Sequence, residues 1–332
     1  MAVHSRALSG KNNRVLITDD VHPLLIERLR NRGFRVDYRP AISLAQVRNI
    51  IGPYAGIIIN SKIRMDRPML DSAPALRFIG RLGSGMEIID TVYARRLGIK
   101  LFRAPQGNSN AVGEHALGML LALADKLIPA DRHVKSLKPW NREAYRGFEL
   151  KGKTIGIIGL GHTGRSFARK LQGFGVKVLA YDKYKQRIPK ALRFVTMTPD
   201  VETLLRRSDV VSFHLPLTSE TIGYLDAGKL AYCKDGVILI NTSRGKLIPT
   251  ELLVAGLESG KIGGACLDVF ENEKVGTYTR RERQLYRRLF DSTHVITSPH
   301  VAGWTVESKR KLAEVLLRQV LRLADKDEME AG

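Results

Sequence analysis

The chain has 332 residues, 44% hydrophobic and 26% charged, which excludes a disordered polymer and predicts about two domains. Its richest apolar run, "ALGMLLALA" at residues 116–124, is about half the roughly 18 to 20 residues of a membrane helix, so no helical span is expected. The formal net charge of +21 raises binding to nucleic acid, but the basic residues are dispersed through helical patterns such as "IERLRNRGFR" and "TRRERQLYRRLF". No RNA-binding signature and no paired Cys/His finger accompanies them. Nucleic-acid contact is therefore expected only as nonspecific adhesion of a basic surface, and no metal site is expected.

The opening "MAVHSRALSGKNNR" lacks an acidic residue and an apolar core, so it reads as a disordered leader, with an organelle-targeting remnant as the alternative and a secretory signal excluded. From residue 14 short apolar runs alternate with amphipathic stretches. "RVLIT" predicts a strand, "HPLLIERLRNRG" a helix ending at Gly33 and "FRVDY" a strand. A helix over "SLAQVRNIIG", a strand over "GIIIN", a turn-rich helix around Pro68 to Ala75 and a strand over "LRFIGR" follow. "EIIDTVYARRLG" predicts a helix closed by Gly98, and "IKLFRA" a strand. Such alternation means βαβ units and a parallel sheet.

Residues 108–136 predict one long helix, broken or bent near Pro129, and "LKPWNREAYRGFEL" a polar connector. A second βαβ series begins at "KTIGIIGLGHTG" and runs through "VKVLAYD", "DVVSFHLP", "GVILINTS", "GACLDV" and "HVITSP". The last thirty residues predict a helix with an acidic end. The two cysteines, Cys233 and Cys266, sit in apolar surroundings and read as free buried thiols, which suits a cytoplasmic location. The fold class expected is α/β, with two doubly wound parallel-sheet (Rossmann-like) domains and a cleft between them.

"TIGIIGLGHTG" is an apolar strand running into Gly159-Leu160-Gly161-His162-Thr163-Gly164. The first glycine permits a tight turn, the second lets backbone approach a pyrophosphate, and the third lets helix pack on strand. The helix that follows offers its free N–H groups and positive dipole end to phosphate. Eighteen residues past Gly164 the next strand ends in Asp182, near the spacing at which an acidic side chain binds the adenosine ribose hydroxyls. A carboxylate there repels a 2′-phosphate, so NAD is favoured over NADP, while Lys183 and Lys185 soften that exclusion.

Beyond the loop, polar residues recur where predicted strands end, the edge at which open α/β sheets bind ligands. They are His214, then Thr242, Ser243 and Arg244, then Asp268 and Glu273, and finally His300. An arginine at such an edge can clamp a carboxylate through two parallel hydrogen bonds. Glu273 beside His300 would favour the imidazolium and suit it to donate a proton to a carbonyl.

The succession "GKTIGIIGLGHTG", "YD", "SDVVSFHLPLTSET", "INTSRG", "GACLDVFENE" and "SPHVAGW" resembles the D-isomer-specific 2-hydroxyacid dehydrogenases, and most of all their D-3-phosphoglycerate dehydrogenase-like members. The resemblance extends from Arg14 to about Lys326 and includes "RLGSGMEIID" and "RAPQGNSNAVGEHAL". It implies a discontinuous, flavodoxin-like substrate-binding domain of residues 1–104 plus 300–332, and an NAD-binding Rossmann domain of residues 105–299. It also implies a homodimer and the following roles. Arg244 binds substrate, Glu273 supports the histidine, and His300 is the acid/base in the cleft. Asp268 holds the nicotinamide carboxamide, and Asn108 and Val112 lie where the linker helix meets the nicotinamide. The backbone amides around Ser84 and Gly85 receive the substrate carboxylate.

By the same resemblance, hydride passes from NADH to C2 of a 2-oxo acid, Arg244 polarises the ketone, and protonated His300 supplies the proton. Lys62 and Arg64 are candidates for a substrate phosphate, which favours 3-phosphohydroxypyruvate; glyoxylate, hydroxypyruvate and D-lactate-type substrates remain alternatives. A carboxylate beside the histidine argues against a formate dehydrogenase, because hydride removal from formate needs no proton donor. An NAD-sensing, corepressor-like binding protein is the reading from another class. Two departures stand out. The segment from Glu273 to His300 is long and basic, and the end at residue 332 leaves no room for a C-terminal regulatory domain, so serine feedback through one is not expected.

Overall fold

The computed structural model describes residues 13–185 and 187–331, with side chains described as far as Lys326. Residues 1–12 of the expected leader lie outside the described residues. The described residues divide into two compact units, 13–108 with 304–331, and 109–303.

The first unit carries β1 (Arg14–Ile17), α1 (Pro23–Asn31), β2 (Arg35–Tyr38), α2 (Leu44–Ile50), β3 (Gly56–Ile59), α3 (Arg67–Asp71), β4 (Phe78–Arg81), α4 (Thr91–Arg96) and β5 (Lys100–Arg103). Its parallel sheet has the order β2-β1-β3-β4-β5. The inner strands β1, β3 and β4 are short and mostly apolar because helices cover both faces, so successive side chains are buried alternately on either side. Val15, Ile17 and Ile58 pack beneath α1 and the C-terminal helix, while Leu16, Ile57 and Ile59 pack against Val47, Met69 and Leu70. Helix starts are satisfied locally: Ser43 and Gln46 form a capping box, and Asp66 and Asp90 accept from Met69 N and Tyr93 N.

The second unit opens with α5 (Ser109–Ala124) and α6 (Leu127–Lys135). The long helix expected over 108–136 is therefore two. The break falls before Pro129, at Lys126, whose φ of 50° is left-handed. Pro129 sits inside the first turn of α6, where a missing N–H leaves no helical bond unmade. Next come β6 (Thr154–Ile158), α7 (His162–Leu171), β7 (Lys177–Tyr181), β8 (Val195–Met197), α8 (Val201–Arg207), β9 (Val210–Phe213), α9 (Ala227–Tyr232), β10 (Val237–Asn241), α10 (Thr250–Glu258), β11 (Ile262–Leu267), α11 (Arg280–Asp291) and β12 (Val295–Thr297). The final helix, α12 (Val306–Ala331), belongs to the first unit.

The second sheet is also parallel, with the order β12-β11-β10-β9-β6-β7-β8. Chain order reverses at β6, so the ends of β6 and β9 flank a topological switch point. Ile238 and Ile240 of β10 face the α5 and α7 side, and Leu239 between them faces α10 and α11. Leu239 is fully buried, and truncating it to alanine is expected to cost about 2–5 kcal/mol.

The crossings between units fall four residues later than the sequence reading has them, at 108 instead of 104 and at 303 instead of 299. His300 thus lies in the second unit. The physical reason is that Ser298, His300, Val301 and Ala302 are hydrogen-bonded to Asp268 just past the end of β11. No helix among the described residues is long and apolar enough to cross a membrane, and no cluster among them could hold a metal ion.

Candidate active site

The strands of the second unit run parallel, so the segments that follow β6, β7, β9, β10, β11 and β12 emerge at one edge of the sheet. Gly159 follows β6 with φ 93°, a conformation that a side chain would strain. A Cβ there would also overlap the carbonyl of His214, and one at Gly164 would overlap the carbonyl of Gly159. Gly161 differs: its backbone is extended and a Cβ would meet nothing within 4 Å. It is also the N-cap of α7, and no side chain caps the helix, whereas Asp200 caps α8 by accepting from Thr203 N at 2.6 Å. The α7 terminus, with His162 and Thr163 in its first turn, keeps amides and an open approach for an anion.

Asp182 directly follows β7, and its carboxylate accepts from Leu160 N at 2.8 Å and Tyr184 N at 3.0 Å. It thereby ties the glycine loop to the neighbouring strand. Lys183 pairs with Glu220 at 2.6 Å.

His214 follows β9 and is 7% exposed; burial pushes its pKa down to about 3, so its ring is neutral. Its Nε2 lies 2.9 Å from Ser212 Oγ, while Nδ1 is buried without a partner. Thr242, after β10, likewise has a buried Oγ1 without a partner. Unpaired buried polar atoms are costly and rare in native structures. Two of them at the edge that carries an uncapped glycine loop fit a polar ligand, and a dinucleotide supplies both the pyrophosphate for the loop and the groups for the orphaned atoms.

Arg244 stands at the start of a short 3-10 turn, Gly245–Leu247, and its Nη1 donates to Ser243 O at 2.6 Å. Gly245 has no room for a side chain, since a Cβ would overlap the Phe270 backbone. That close approach brings the β10 loop against the chain leading to Glu273.

His300 Nδ1 lies 2.9 Å from Glu273 Oε2, with the side chains 50% and 40% exposed. The hydrogen bond to Glu273 raises the histidine's pKa; burial opposes this, the charges of Glu273 and Asp268 add to it, and Arg244 works against it. Burial would raise Glu273, but its hydrogen bond to His300 and the surrounding positive charge hold it below the usual glutamate range. Arg244, Asp268, Glu273 and His300 therefore act as one electrostatic cluster.

His300 also has a left-handed φ of 57°, which costs a non-glycine residue about 1 kcal/mol or more. Asp268 holds it there. His300 N donates to Asp268 O at 2.8 Å, while the Asp268 side chain, 1% exposed, accepts from Ser298 Oγ at 2.6 Å, Val301 N at 2.8 Å and Ala302 N at 2.9 Å. Hydrogen bonds to a charged group contribute about 1.5–3 kcal/mol each, so this set outweighs the strain. Sequence reasoning missed that clamp and gave no role to Ser298 or to His115, whose Nε2 lies 2.8 Å from Ser298 Oγ. The only available signal for His115 was a histidine at the start of the apolar run of its helix.

Val112 is 6% exposed within α5. Asn108 closes the first unit and has a buried, unpartnered Oδ1. Ser84 and Gly85 lie in the turn after β4 of the first unit. Lys62 is exposed there and donates through Nζ to the Pro40 carbonyl.

Comparison with known proteins adds four matches. The family model described as "D-isomer specific 2-hydroxyacid dehydrogenase, NAD binding domain" matches residues 117–302. The chain is 33% identical over 311 residues to a D-3-phosphoglycerate dehydrogenase of Archaeoglobus fulgidus, covering 94% of this chain and 57% of that protein. It is 36% identical over 266 residues to a glyoxylate reductase of Thermofilum pendens, covering 78% and 75%. Among solved structures, a D-lactate dehydrogenase from Aquifex aeolicus complexed with NAD and lactic acid superimposes with a TM-score of 0.83 at 28% identity, covering 96% of this chain and 97% of that one. The chain spans little more than half the length of the phosphoglycerate dehydrogenases it matches.

Proposed function

The chain belongs to the D-isomer specific 2-hydroxyacid dehydrogenases, and on that premise we propose that it is an NAD-dependent oxidoreductase interconverting a 2-oxo acid and a D-2-hydroxy acid. The observation that carries the proposal is the hydrogen bond between His300 and Glu273 at the sheet edge from which the glycine loop emerges.

Gly159, Gly161, His162, Thr163 and Gly164 would hold the dinucleotide's pyrophosphate, Asp182 its adenosine ribose, and Thr242, His214 and Asp268 its nicotinamide half. When bound, the nicotinamide supplies or accepts the hydride. His300 supplies the proton. Because Nδ1 is occupied by Glu273, Nε2 carries the transferable proton, and the raised pKa favours the protonated ring. As the ring gives up that proton, Glu273 retains its hydrogen bond to Nδ1 and keeps the ring oriented. Arg244 presents a planar cation able to bind a carboxylate and polarise the adjacent ketone. In the opposite direction neutral His300 takes the proton from the hydroxyl.

NAD is the cofactor we favour over NADP, because the Asp182 carboxylate repels a 2′-phosphate. For Ser84, Gly85, Asn108 and Val112 the support is the family resemblance alone, and for Lys62 it is the exposed basic turn after β3. A homodimer is proposed on the same ground, and a cytoplasmic location on the buried free thiols of Cys233 and Cys266.

The substrate we propose is 3-phosphohydroxypyruvate with its D-3-phosphoglycerate partner, supported by the names of the relatives that cover most of this chain. A second reading, reduction of glyoxylate or hydroxypyruvate, is favoured by relatives of which this chain covers 75% and 83%. The deciding experiment is NADH oxidation with 3-phosphohydroxypyruvate, hydroxypyruvate, glyoxylate and pyruvate in parallel. The highest kcat/KM on the phosphorylated acid supports the first reading, and the highest on glyoxylate or hydroxypyruvate supports the second. Tight NADH binding without turnover on any of them contradicts the activity and leaves an NAD-sensing binding protein.

A further inference from the structure

We infer that His115 is a positioning residue for the His300 acid, acting through Ser298 and Asp268. The inference rests on the reading of His300 given above and starts from the hydrogens available. Ser298 has one hydroxyl hydrogen and three neighbours that compete for it: Asp268 Oδ1 at 2.6 Å, His115 Nε2 at 2.8 Å and the weakly accepting Met119 Sδ at 3.8 Å. Asp268 Oδ1 already accepts from Val301 N, and Oδ2 from Ala302 N, as a carboxylate does. The Ser298 hydrogen therefore goes to Asp268. His115 must then donate from Nε2 to the remaining lone pair of Ser298 Oγ, so its ring carries a hydrogen on Nε2.

The chain of donation runs from His115 on α5, through Ser298, to the carboxylate that brackets His300. The same aspartate accepts His300 N at its carbonyl and the two following amides at its carboxylate, which holds the left-handed backbone at His300. A hydroxyl held by a donor on one side and an acceptor on the other has one orientation. Without His115 it can rotate, and Asp268 then loses one of three donors in a site where its side chain is 1% exposed. The backbone at 300 loosens, and the ring leaves its line with Glu273. His115, 27% exposed and Nε2 3.7 Å from Asp268 Oδ1, touches neither Glu273 nor His300 by hydrogen bond, so its effect is indirect.

Two measurements test this. Imidazole nitrogen NMR on protein labelled in histidine reads the tautomer of His115 without any turnover; a hydrogen on Nε2 is expected, and a neutral ring protonated on Nδ1 overturns the relay. The second is a kinetic cycle of His115→Phe, Ser298→Ala and the double variant, with His115→Gln alongside. Each single change is expected to lower kcat about tenfold while NADH binding stays within about twofold, and the double variant to be no worse than the poorer single one. Gln, whose amide N–H2 can replace the Nε2 donor, is expected to recover kcat to within about threefold of the parent. Single effects that multiply in the double variant, or a Gln variant no better than Phe, overturn the relay and leave His115 an ordinary structural residue. The two readings fail separately. If the parent turns over no 2-oxo acid yet His115 has the expected tautomer, the proposed activity falls and the hydrogen-bond relay stands. If His300→Ala abolishes turnover but the tautomer or cycle disagrees, the relay alone falls.

Discussion

Glu273 Oε2 meets His300 Nδ1 at 2.9 Å, and this contact decides which ring nitrogen is left for chemistry. It also sets the pH at which that chemistry runs. The glutamate raises the histidine's pKa, so His300 keeps its proton above the ordinary value near 6.5. Reduction of a 2-oxo acid consumes that proton. Its kcat/KM is expected to hold past pH 6.5 and to fall as pH rises through the raised value, while oxidation gains over the same interval. In Glu273→Gln both limbs move to lower pH. A profile that stays in place would contradict the role of the pair.

The same linkage makes a prediction about stability. A raised histidine pKa stabilises the fold fully below about 6.5 and loses that contribution as pH climbs through the folded value. A lowered glutamate pKa contributes above its ordinary value near 4.3 and loses it as pH falls. Both side chains are well exposed, so the pair is worth under about 1 kcal/mol even in the window between. Thermal melts of Glu273→Gln are therefore expected to stay close to the parent while kcat/KM falls tenfold or more. A large loss of Tm would make the pair structural.

Arg244→Lys keeps the charge but removes the planar fork. If the guanidinium both clamps the carboxylate and polarises the ketone, steady-state kinetics will show kcat/KM falling about 100-fold or more, with NADH binding unchanged. A loss confined to KM would limit Arg244 to binding.

The glycines of the loop separate by what surrounds them. Gly161→Ala meets no protein atom within 4 Å, so Tm is expected to hold while the NADH Kd rises about tenfold or more through blocked approach to the pyrophosphate. Gly164→Ala pushes a methyl into the Gly159 carbonyl and is expected to lower Tm as well. Equal effects of the two on stability, read by melting and by NADH titration, would contradict the assignment of Gly161 to the cofactor.

Asp182→Asn keeps an oxygen for the Leu160 amide, gives up the bond from the Tyr184 amide and discharges the side chain. NADPH binding is expected to tighten relative to NADH, with the loop intact. An unchanged ratio would mean that the aspartate serves only to hold the loop.

Much of this was legible in the sequence because it is local. The run "TIGII" followed by Gly159, Gly161 and Gly164 specifies a buried strand, a turn and a helix start within eleven residues, and β6 and α7 are where that reading has them. The polar residues at strand ends could likewise be assigned to one sheet edge from the βαβ alternation alone. What escaped depends on distant contacts or on backbone choices without a residue-type signal. The expected break near Pro129 is present, but its position at Lys126 rests on a left-handed conformation that lysine does not advertise. Strand β8 is three residues long, too short to show a period. The Asp268 clamp joins residues 30 to 34 positions apart, and His115 reaches Ser298 across 183. Only the folded chain brings those partners together.

The most direct test of the account is steady-state NADH oxidation with the best 2-oxo acid by the parent protein and by His300→Ala, with NADH binding measured on both. The account predicts that the variant binds NADH within about twofold of the parent and loses at least about 100-fold in kcat. A variant that binds NADH and turns over like the parent would contradict the assignment of His300 as the acid.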